Sequence, residues 1–295
     1  MTPETVVTVG TFDGVHLGHQ KVLARLFEKA RELDLASAVV TFDRHPLSVI
    51  RPQDAPPVLT TQVEKQQILA ATDVDFIQIL PFTRELAEFS PQQFVNDILI
   101  KQMGMKHLVI GYDHGFGKGR SGDVDTLKQI GADVGFGVDV VPPQDVGGVH
   151  VSSSRIRSLL LEGKIEEANA ALGRPYGIRG HVVRGDGRGR ELGVPTANLQ
   201  VADPHKLLPL EGIYAVTVGE LKGVLHLGPR PTFDGAKPSI EVHLFDFDND
   251  IYNHTITVEL RHRVRDVVRF DTIDELVSAM REDVRRAREL LNRAP

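Results

Sequence analysis

The chain has 295 residues, which suggests two domains at ~150 residues each. Apolar residues make up 41% and charged residues 25%, a globular balance that excludes disorder, collagen and a coiled coil. A net charge of −6 offers no basic field for nucleic acid or an anionic membrane, and with no cysteine there are no disulfides, thiolate metal sites or cysteine nucleophiles. No basic stretch followed by an apolar core opens the chain, and no apolar run approaches the ~18 residues of a membrane span. The expectation is a soluble, cytoplasmic protein.

The first half alternates strand-like and helix-like segments. Thr5–Gly10 is β-branched and ends at glycine. Leu17–Leu33 has helical spacing, with Val22, Leu26, Ala30 and Leu33 on one face. Ala38–Phe42 and Ile77–Leu80 are strand-like, and Phe94–Met103 is helical. Leu108–Gly111 is a strand, Asp123–Ile130 opens a helix, and Val138–Val141 is a further strand. This rhythm predicts a parallel α/β sheet. Ser158–Leu172 is helical with an interruption at Gly163. After it the chain changes character. Arg179–Arg184, Ile213–Val218, Gly223–Leu227, Ile240–Phe245 and Thr255–Leu260 are short strands between turns, which predicts an antiparallel sandwich or barrel. A last helix carries Ile273, Leu276, Val277, Met280, Val284 and Leu291 as an apolar stripe, with Thr272 and Glu275 as a capping box. The boundary falls near Gly173–Pro175, giving domains 1–172 and 173–295.

Chemistry concentrates at two places. In the first, Gly10-Thr11-Phe12-Asp13-Gly14-Val15-His16-Leu17-Gly18-His19 leads from the first strand into the first helix. His16 and His19 share a helix face, and the helix start favours a phosphate. Gly18 lets a ligand approach the backbone. A later strand-to-helix step, Val151-Ser152-Ser153-Ser154-Arg155-Ile156-Arg157, supplies hydroxyls and guanidinium groups that suit phosphates. Each piece alone also fits an ordinary helix start.

In the second, Gly185-Asp186-Gly187-Arg188-Gly189 runs on to Val194-Pro195-Thr196-Ala197-Asn198. Glycines there allow backbone N–H groups to wrap an anion. Thr196 and Asn198 point the same way on an extended chain and carry hard oxygens suited to Mg²⁺. In Ser239–Phe247, Glu241 and His243 alternate with Ile240, Val242 and Leu244, so Glu241 could serve as a general base on a barrel wall.

Together the first pieces resemble the nucleotidyltransferase superfamily, with its H-x-G-H and I-S-S-T-x-x-R marks. Ser154 stands at the threonine and keeps the hydroxyl. The fuller string Val9–Gln20, with Thr41-Phe42-Asp43-Arg44-His45-Pro46 and Gly111–Asp123, resembles the FMN adenylyltransferase half of bacterial bifunctional FAD synthetases. Leu172–Tyr176, Gly193–Leu199, Gly212–Val216, Gly228–Phe233 and Glu241–Asp246 resemble riboflavin kinase in order and spacing. The resemblance spans nearly the whole chain. It implies a Rossmann-like nucleotidyltransferase domain, then a small antiparallel riboflavin kinase β-barrel with a C-terminal helix.

It also implies riboflavin, FMN and ATP as substrates, FAD as product, and Mg²⁺. His16, His19, Arg157 and Glu241 would be catalytic. ATP would meet Gly10, Phe12, Asp13, Gly18, Ser153 and Ser154 in the first domain, and Gly187, Gly189, Thr196 and Asn198 in the second. Thr196 and Asn198 would hold the metal, and Asp43, His45 and Asp113 would meet flavin. Arg44 departs from a usual proline, His114-Gly115 from a pair that usually begins with phenylalanine, and Leu225-His226-Leu227 from an N-I-rich run. Two alternatives stay open: a kinase whose first domain has drifted to another adenylyl transfer or a silent role, and a barrel that is a nucleic-acid or regulatory module. Gly117–Gly122 satisfies G-x-G-x-x-G but does not follow the first strand, and Ile251 breaks a calcium loop at Asp246, Asp248 and Asp250.

Overall fold

The computed structural model describes residues 3–185, 194–228 and 239–293. Two compact units divide the chain, Met1–Ser153 and Ser154–Pro295.

The first unit is a five-stranded sheet. Its strands are β1 (Thr5–Val9), β2 (Ala36–Phe42), β3 (Phe76–Leu80), β4 (Met105–Gly111) and β5 (Gly137–Val141), in the order β3-β2-β1-β4-β5. Every pairing is parallel. Residues of a strand point alternately to the two faces, and helices cover both faces. Val7, Val9, Val40, Leu108 and Ile110 meet Phe94, Leu99 and Leu127 on one side. Val6, Val39 and Val109 meet Leu23 and Leu26 of α1 (Leu17–Leu33) on the other. This double covering explains why the strands read as nearly continuous apolar runs.

Two helices differ from expectation. The stretch Phe94–Met103 is not one α-helix. A short turn, Pro91–Phe94, runs into a π-helical stretch over Val95–Ile100. A helix, α2 (Gln62–Ala70), stands where no periodic pattern was read, opened by a capping box of Thr61 and Glu64. Its inward face carries Glu64 and Lys65, each 7% exposed, beside buried Leu69. Charged residues facing inward hide the apolar period from the sequence.

The second unit begins with two helices, α3 (Ser153–Leu161, its first residue belonging to the first unit) and α4 (Ile165–Leu172). Gly163, at φ +74°, makes the break between them. Six strands follow: β6 (Tyr176–Val183), β7 (Ala197–Gln200), β8 (Gly212–Val218), β9 (Leu221–Gly228), β10 (Ser239–Leu244) and β11 (Thr255–Arg265). They close into a barrel in the order β8-β9-β10-β7-β6-β11, with every pairing antiparallel. Ile178, Leu225, Leu227, Val242, Val258 and Leu260 are buried in this unit. The fold therefore meets the expectation of a parallel α/β domain followed by a barrel and a helix.

The last helix, α5 (Ile273–Asn292), has the anticipated capping box of Thr272 and Glu275. Its apolar stripe is shorter than expected. Val284, Ala287, Leu290 and Leu291 pack on Ile213, Ala215, Val224 and Phe245, whereas Ile273 is 68% exposed. The helix docks by its C-terminal part. A two-pronged ion pair fixes that dock. Arg265 donates from Nε at 2.7 Å and from its terminal nitrogen at 2.6 Å to the Asp283 carboxylate, which is 5% exposed. Removing the guanidinium leaves a buried charge unmatched. Arg265→Ala is expected to cost about 3 kcal/mol of barrel stability in urea denaturation, and Arg265→Ala/Asp283→Asn less than that.

Candidate functional site

The first site lies where the sheet order reverses. β1 has β2 on one side and β4 on the other, and the chain beyond its C-terminal end is the place where open α/β sheets bind ligands. The backbone there is unusual. Phe12, Gly14 and Val15 have φ of +48°, +85° and +39°. For a β-branched residue such as Val15 this conformation is costly and must be held by its surroundings. Phe12 and Val15 are 2% and 1% exposed, so packing holds them. Asp13 supplies the second hold. Its buried carboxylate accepts from the amides of Leu59 (2.9 Å) and Thr60 (3.0 Å), and the Thr60 hydroxyl accepts from the Gly14 amide at 3.0 Å.

The turn delivers both histidines. His16 is the N-cap of α1, and its Nδ1 accepts the His19 amide at 3.4 Å. An Nδ1 that accepts leaves Nε2–H as the donor of a neutral imidazole. The two rings stack with centroids 3.7 Å apart, and Phe12 lies 5.1 Å from the His19 ring. Gly18 also has a packing role. A Cβ there would stand 3.1 Å from His16 Cε1 and 3.2 Å from its Nδ1, so the missing side chain makes room for the His16 ring. Gly10 similarly gives way to the Phe12 ring, 3.2 Å from its would-be Cβ.

Other expected residues stand at the same edge of the sheet. Ser153 donates to the Asp13 carbonyl at 2.9 Å. Asp43 follows β2. Its carboxylate accepts from the Phe82 amide at 2.8 Å and from Arg44 at 2.8 and 3.0 Å. Partial burial pushes its pKa up, but Arg44 and the Phe82 amide outweigh burial and hold it below the ordinary value. Arg44, read as a departure, thus pairs with a neighbour. His45 Nδ1 accepts the Leu47 amide at 3.2 Å. Asp113 follows β4 in a depression of about 340 Å³, lined also by Tyr112, His114, Asp123 and Asp125. Ser154 and Arg157 lie on the early turns of α3 in the second unit.

Lys65 escaped the sequence reading. Its Nζ donates to the carbonyls of Phe42 (2.7 Å) and Thr11 (3.1 Å) and to the Thr41 hydroxyl (3.2 Å). Burial pushes its pKa down to about 8, against the opposing pull of Asp13 and Asp43. No motif marks it. The available signal was the Thr61–Glu64 capping box, which places a helix there.

The second site is on the barrel wall. Glu241 on β10 faces Asn198 on β7 in register, and Thr196 donates to Glu241 Oε2 at 3.3 Å. His243 Nδ1 pairs with the Pro195 carbonyl at 2.8 Å and anchors the start of that segment. A Cβ on Gly185 would displace the Asn198 carboxamide, so the glycine leaves that side chain its position. Gly187 and Gly189 lie outside the described residues. His226 on β9 stands in register with Glu241 on its other side. Burial pushes its pKa down and outweighs the attraction of Glu241, so the imidazole stays neutral to lower pH.

The decoys resolve in packing. Gly117 and Gly122 lie against Phe89, Pro91 and Phe116, where a Cβ would crowd backbone, and Lys118 pairs with Glu88 at 2.7 Å. Asp246 pairs with Arg288 at 2.8 and 2.9 Å.

A parallel sheet with an H-x-G-H turn at its switch point, joined to a closed barrel with a Thr/Asn/Glu wall, defines a two-part nucleotide-handling enzyme. Residues 1–155 match the FAD synthetase family and residues 172–291 the riboflavin kinase family. The bifunctional riboflavin kinase/FMN adenylyltransferase of Escherichia coli K12 is 39% identical, over 96% of this chain and 92% of its own length. That of Pseudomonas fluorescens is also 39% identical, over 97% and 92%. A solved structure described as a macrolide-efflux protein from Streptococcus pneumoniae aligns with a TM-score of 0.88 and 34% identity, covering 100% of this chain and 96% of its own. The efflux description belongs to that protein; among the described residues of this chain no helix is long and apolar enough to cross a membrane. The chain belongs to the bifunctional riboflavin kinase/FMN adenylyltransferase family.

The His16 ring cannot retreat easily from a new methyl group, because it is 6% exposed and stacked on His19. Gly18→Ala is therefore expected to loosen the cap on α1 and lower the stability of the first unit by about 1 kcal/mol, read by urea denaturation.

Proposed function

We propose that the second unit phosphorylates riboflavin to FMN with ATP and that the first unit adenylylates FMN to FAD with release of pyrophosphate. The observation that carries this reading is the pair of separate family matches, 1–155 and 172–291, the first taking in the His16–His19 turn and the second Thr196, Asn198 and Glu241. The functional boundary that suits it is 172/173, one residue into the riboflavin kinase match. The chain also divides into compact units at Ser153/Ser154, and most of α3 and of α4 lies between the two matches. Cytoplasmic placement, with no nucleic acid or membrane partner, agrees with the acidic, cysteine-free composition.

In adenylyl transfer an FMN phosphate oxygen attacks the α-phosphorus of ATP, and the bond to pyrophosphate breaks. The protein needs no nucleophile; alignment and charge stabilisation supply the rate. His16 would donate from Nε2, and His19 would share the load from the same face. Arg157 and the hydroxyls of Ser153 and Ser154 would bind phosphates. Gly10 and Phe12 would border the nucleotide, and Asp13 would act by holding the turn. Asp43, His45 and Asp113 would meet the flavin.

In the kinase reaction the riboflavin 5′-hydroxyl attacks the γ-phosphorus and ADP leaves. Glu241 would take the hydroxyl proton as general base. Thr196 and Asn198 would hold Mg²⁺. These are hard oxygen donors, and among the described residues no group of three or more His, Cys, Asp or Glu is placed to hold a metal ion. A site with few protein ligands suits a cation that keeps most of its shell for phosphates and water. When bound, Mg²⁺ neutralises phosphate charge, as it also would on ATP in the first unit.

A chromatographic time course with purified protein, riboflavin, ATP and Mg²⁺ tests the reading. FMN should rise first and FAD should follow. FMN without FAD would confine the activity to the kinase. Glu241→Gln is expected to lower FMN formation at least ~100-fold while added FMN is still converted to FAD. His19→Ala should show the opposite pattern, losing at least ~100-fold in FAD formation with FMN formation within about twofold of wild type. Equal loss of both steps in a folded variant would argue against separate sites.

A further inference from the structure

Lys65 takes no part in the chemistry above, yet its burial is expensive. An ammonium group withdrawn from water persists only where it is paired and hydrogen-bonded. Its three acceptors are informative. Thr11 opens the segment that leads to Phe12 and Asp13, and Phe42 immediately precedes Asp43. These acceptors stand just beyond β1 and at the end of β2. The Thr41 hydroxyl adds a bridge of its own, donating to the Thr11 carbonyl at 3.2 Å. The start of α2 is tied to the same place independently, through the Leu59 and Thr60 amides on Asp13. Lys65 and Asp13 together link the β1 turn, the β2 end and α2 into one ring of contacts.

We propose that Lys65 is a positioning residue for adenylyl transfer, setting the separation between the nucleotide-side turn at Thr11–Gly14 and the flavin-side loop at Asp43–His45. This rests on the reading of the first unit as an FMN adenylyltransferase. The ammonium form carries three protons for three acceptors. The neutral amine carries two, and it no longer balances the carboxylates that face it. Those are Asp13 from the β1 turn and Asp43 from the end of β2, the latter shared with Arg44; Glu64 adjoins it on α2 and is engaged with the Thr61 amide. With its pKa held near 8, the bridge loses its charge in an accessible pH range.

Activity and stability should then move in opposite directions. The folded pKa, about 8, lies below the ordinary value of 10.5, so between them the unfolded chain holds the extra proton. Folding stability from this group therefore rises with pH through that window. A fall in adenylyl transfer over the same window cannot be attributed to unfolding driven by Lys65.

The test uses full-length wild type, Lys65→Arg and Lys65→Met. FAD formation from FMN and ATP is followed from about pH 6.5 to 9.5, with riboflavin phosphorylation in the same samples as internal control. In wild type, kcat for FAD formation should fall with an apparent pKa near 8 while KM for ATP changes less than about threefold. Lys65→Arg should remove that fall, and Lys65→Met should be flat and at least ~10-fold slower. Kinase rates should stay within about twofold throughout. A folded Lys65→Met chain with the wild-type kcat and pH profile overturns the proposal. So does a Lys65→Arg chain that still shows the fall, and this variant decides the matter if Lys65→Met does not fold. Wild type that makes FMN but no FAD at any pH overturns the functional reading and this proposal with it.

Discussion

The first unit is organised around a turn that the backbone alone would not adopt. Phe12, Gly14 and Val15 all occupy the left-handed region, and for the two non-glycine residues this costs of order 1–3 kcal/mol each. The cost is offset by burial of both side chains and by the Asp13 carboxylate, which gathers amides from a segment more than forty residues away. From this constraint the rest of the site follows. The sharp reversal places His16 at the helix cap rather than inside the helix. The cap turns its ring onto His19, and the crowding at that stack explains why position 18 has no side chain.

The barrel solves a similar problem with different means. Its proposed site residues sit on neighbouring strands, so pairing register sets their separation. Asn198, Glu241 and His226 occupy one rung across β7, β10 and β9. A slip of one residue would turn Glu241 into the core and Val242 out of it. The buried side chains of Ile240 and Val242 resist that slip, so the apolar core fixes the register of the polar face.

Much of this was legible in the residues. The alternation of apolar strands and helices gave the parallel sheet, since each strand is buried on both faces. The shift to short alternating strands gave an antiparallel sandwich or barrel, and the riboflavin kinase resemblance chose the barrel. Spacing puts His16 with His19 and Thr196 with Asn198 on shared faces, and the co-occurring family motifs singled these residues and Glu241 out. Long-range contacts were not legible. Nothing near Asp13 announces that its partners are Leu59 and Thr60, and α2 was hidden because Glu64 and Lys65 face inward where apolar residues would mark a helix. The π-helical stretch over Val95–Ile100 shares its composition with an ordinary helix. The need of the His16 ring for the space at Gly18 was not legible either, because it depends on the cap that turns the ring back.

The two sheets also differ in how they end. The barrel is closed, so its strands leave no open row of backbone donors and acceptors. The parallel sheet has two borders. At β5 the border carries Asp139, engaged by Arg25 and His107, and a charge in that position discourages pairing with another chain. At β3 the border carries Phe76, which is 43% exposed. Self-association of this protein under partial unfolding should therefore begin by strand addition at β3, and a lysine at position 76 would be the economical way to block it.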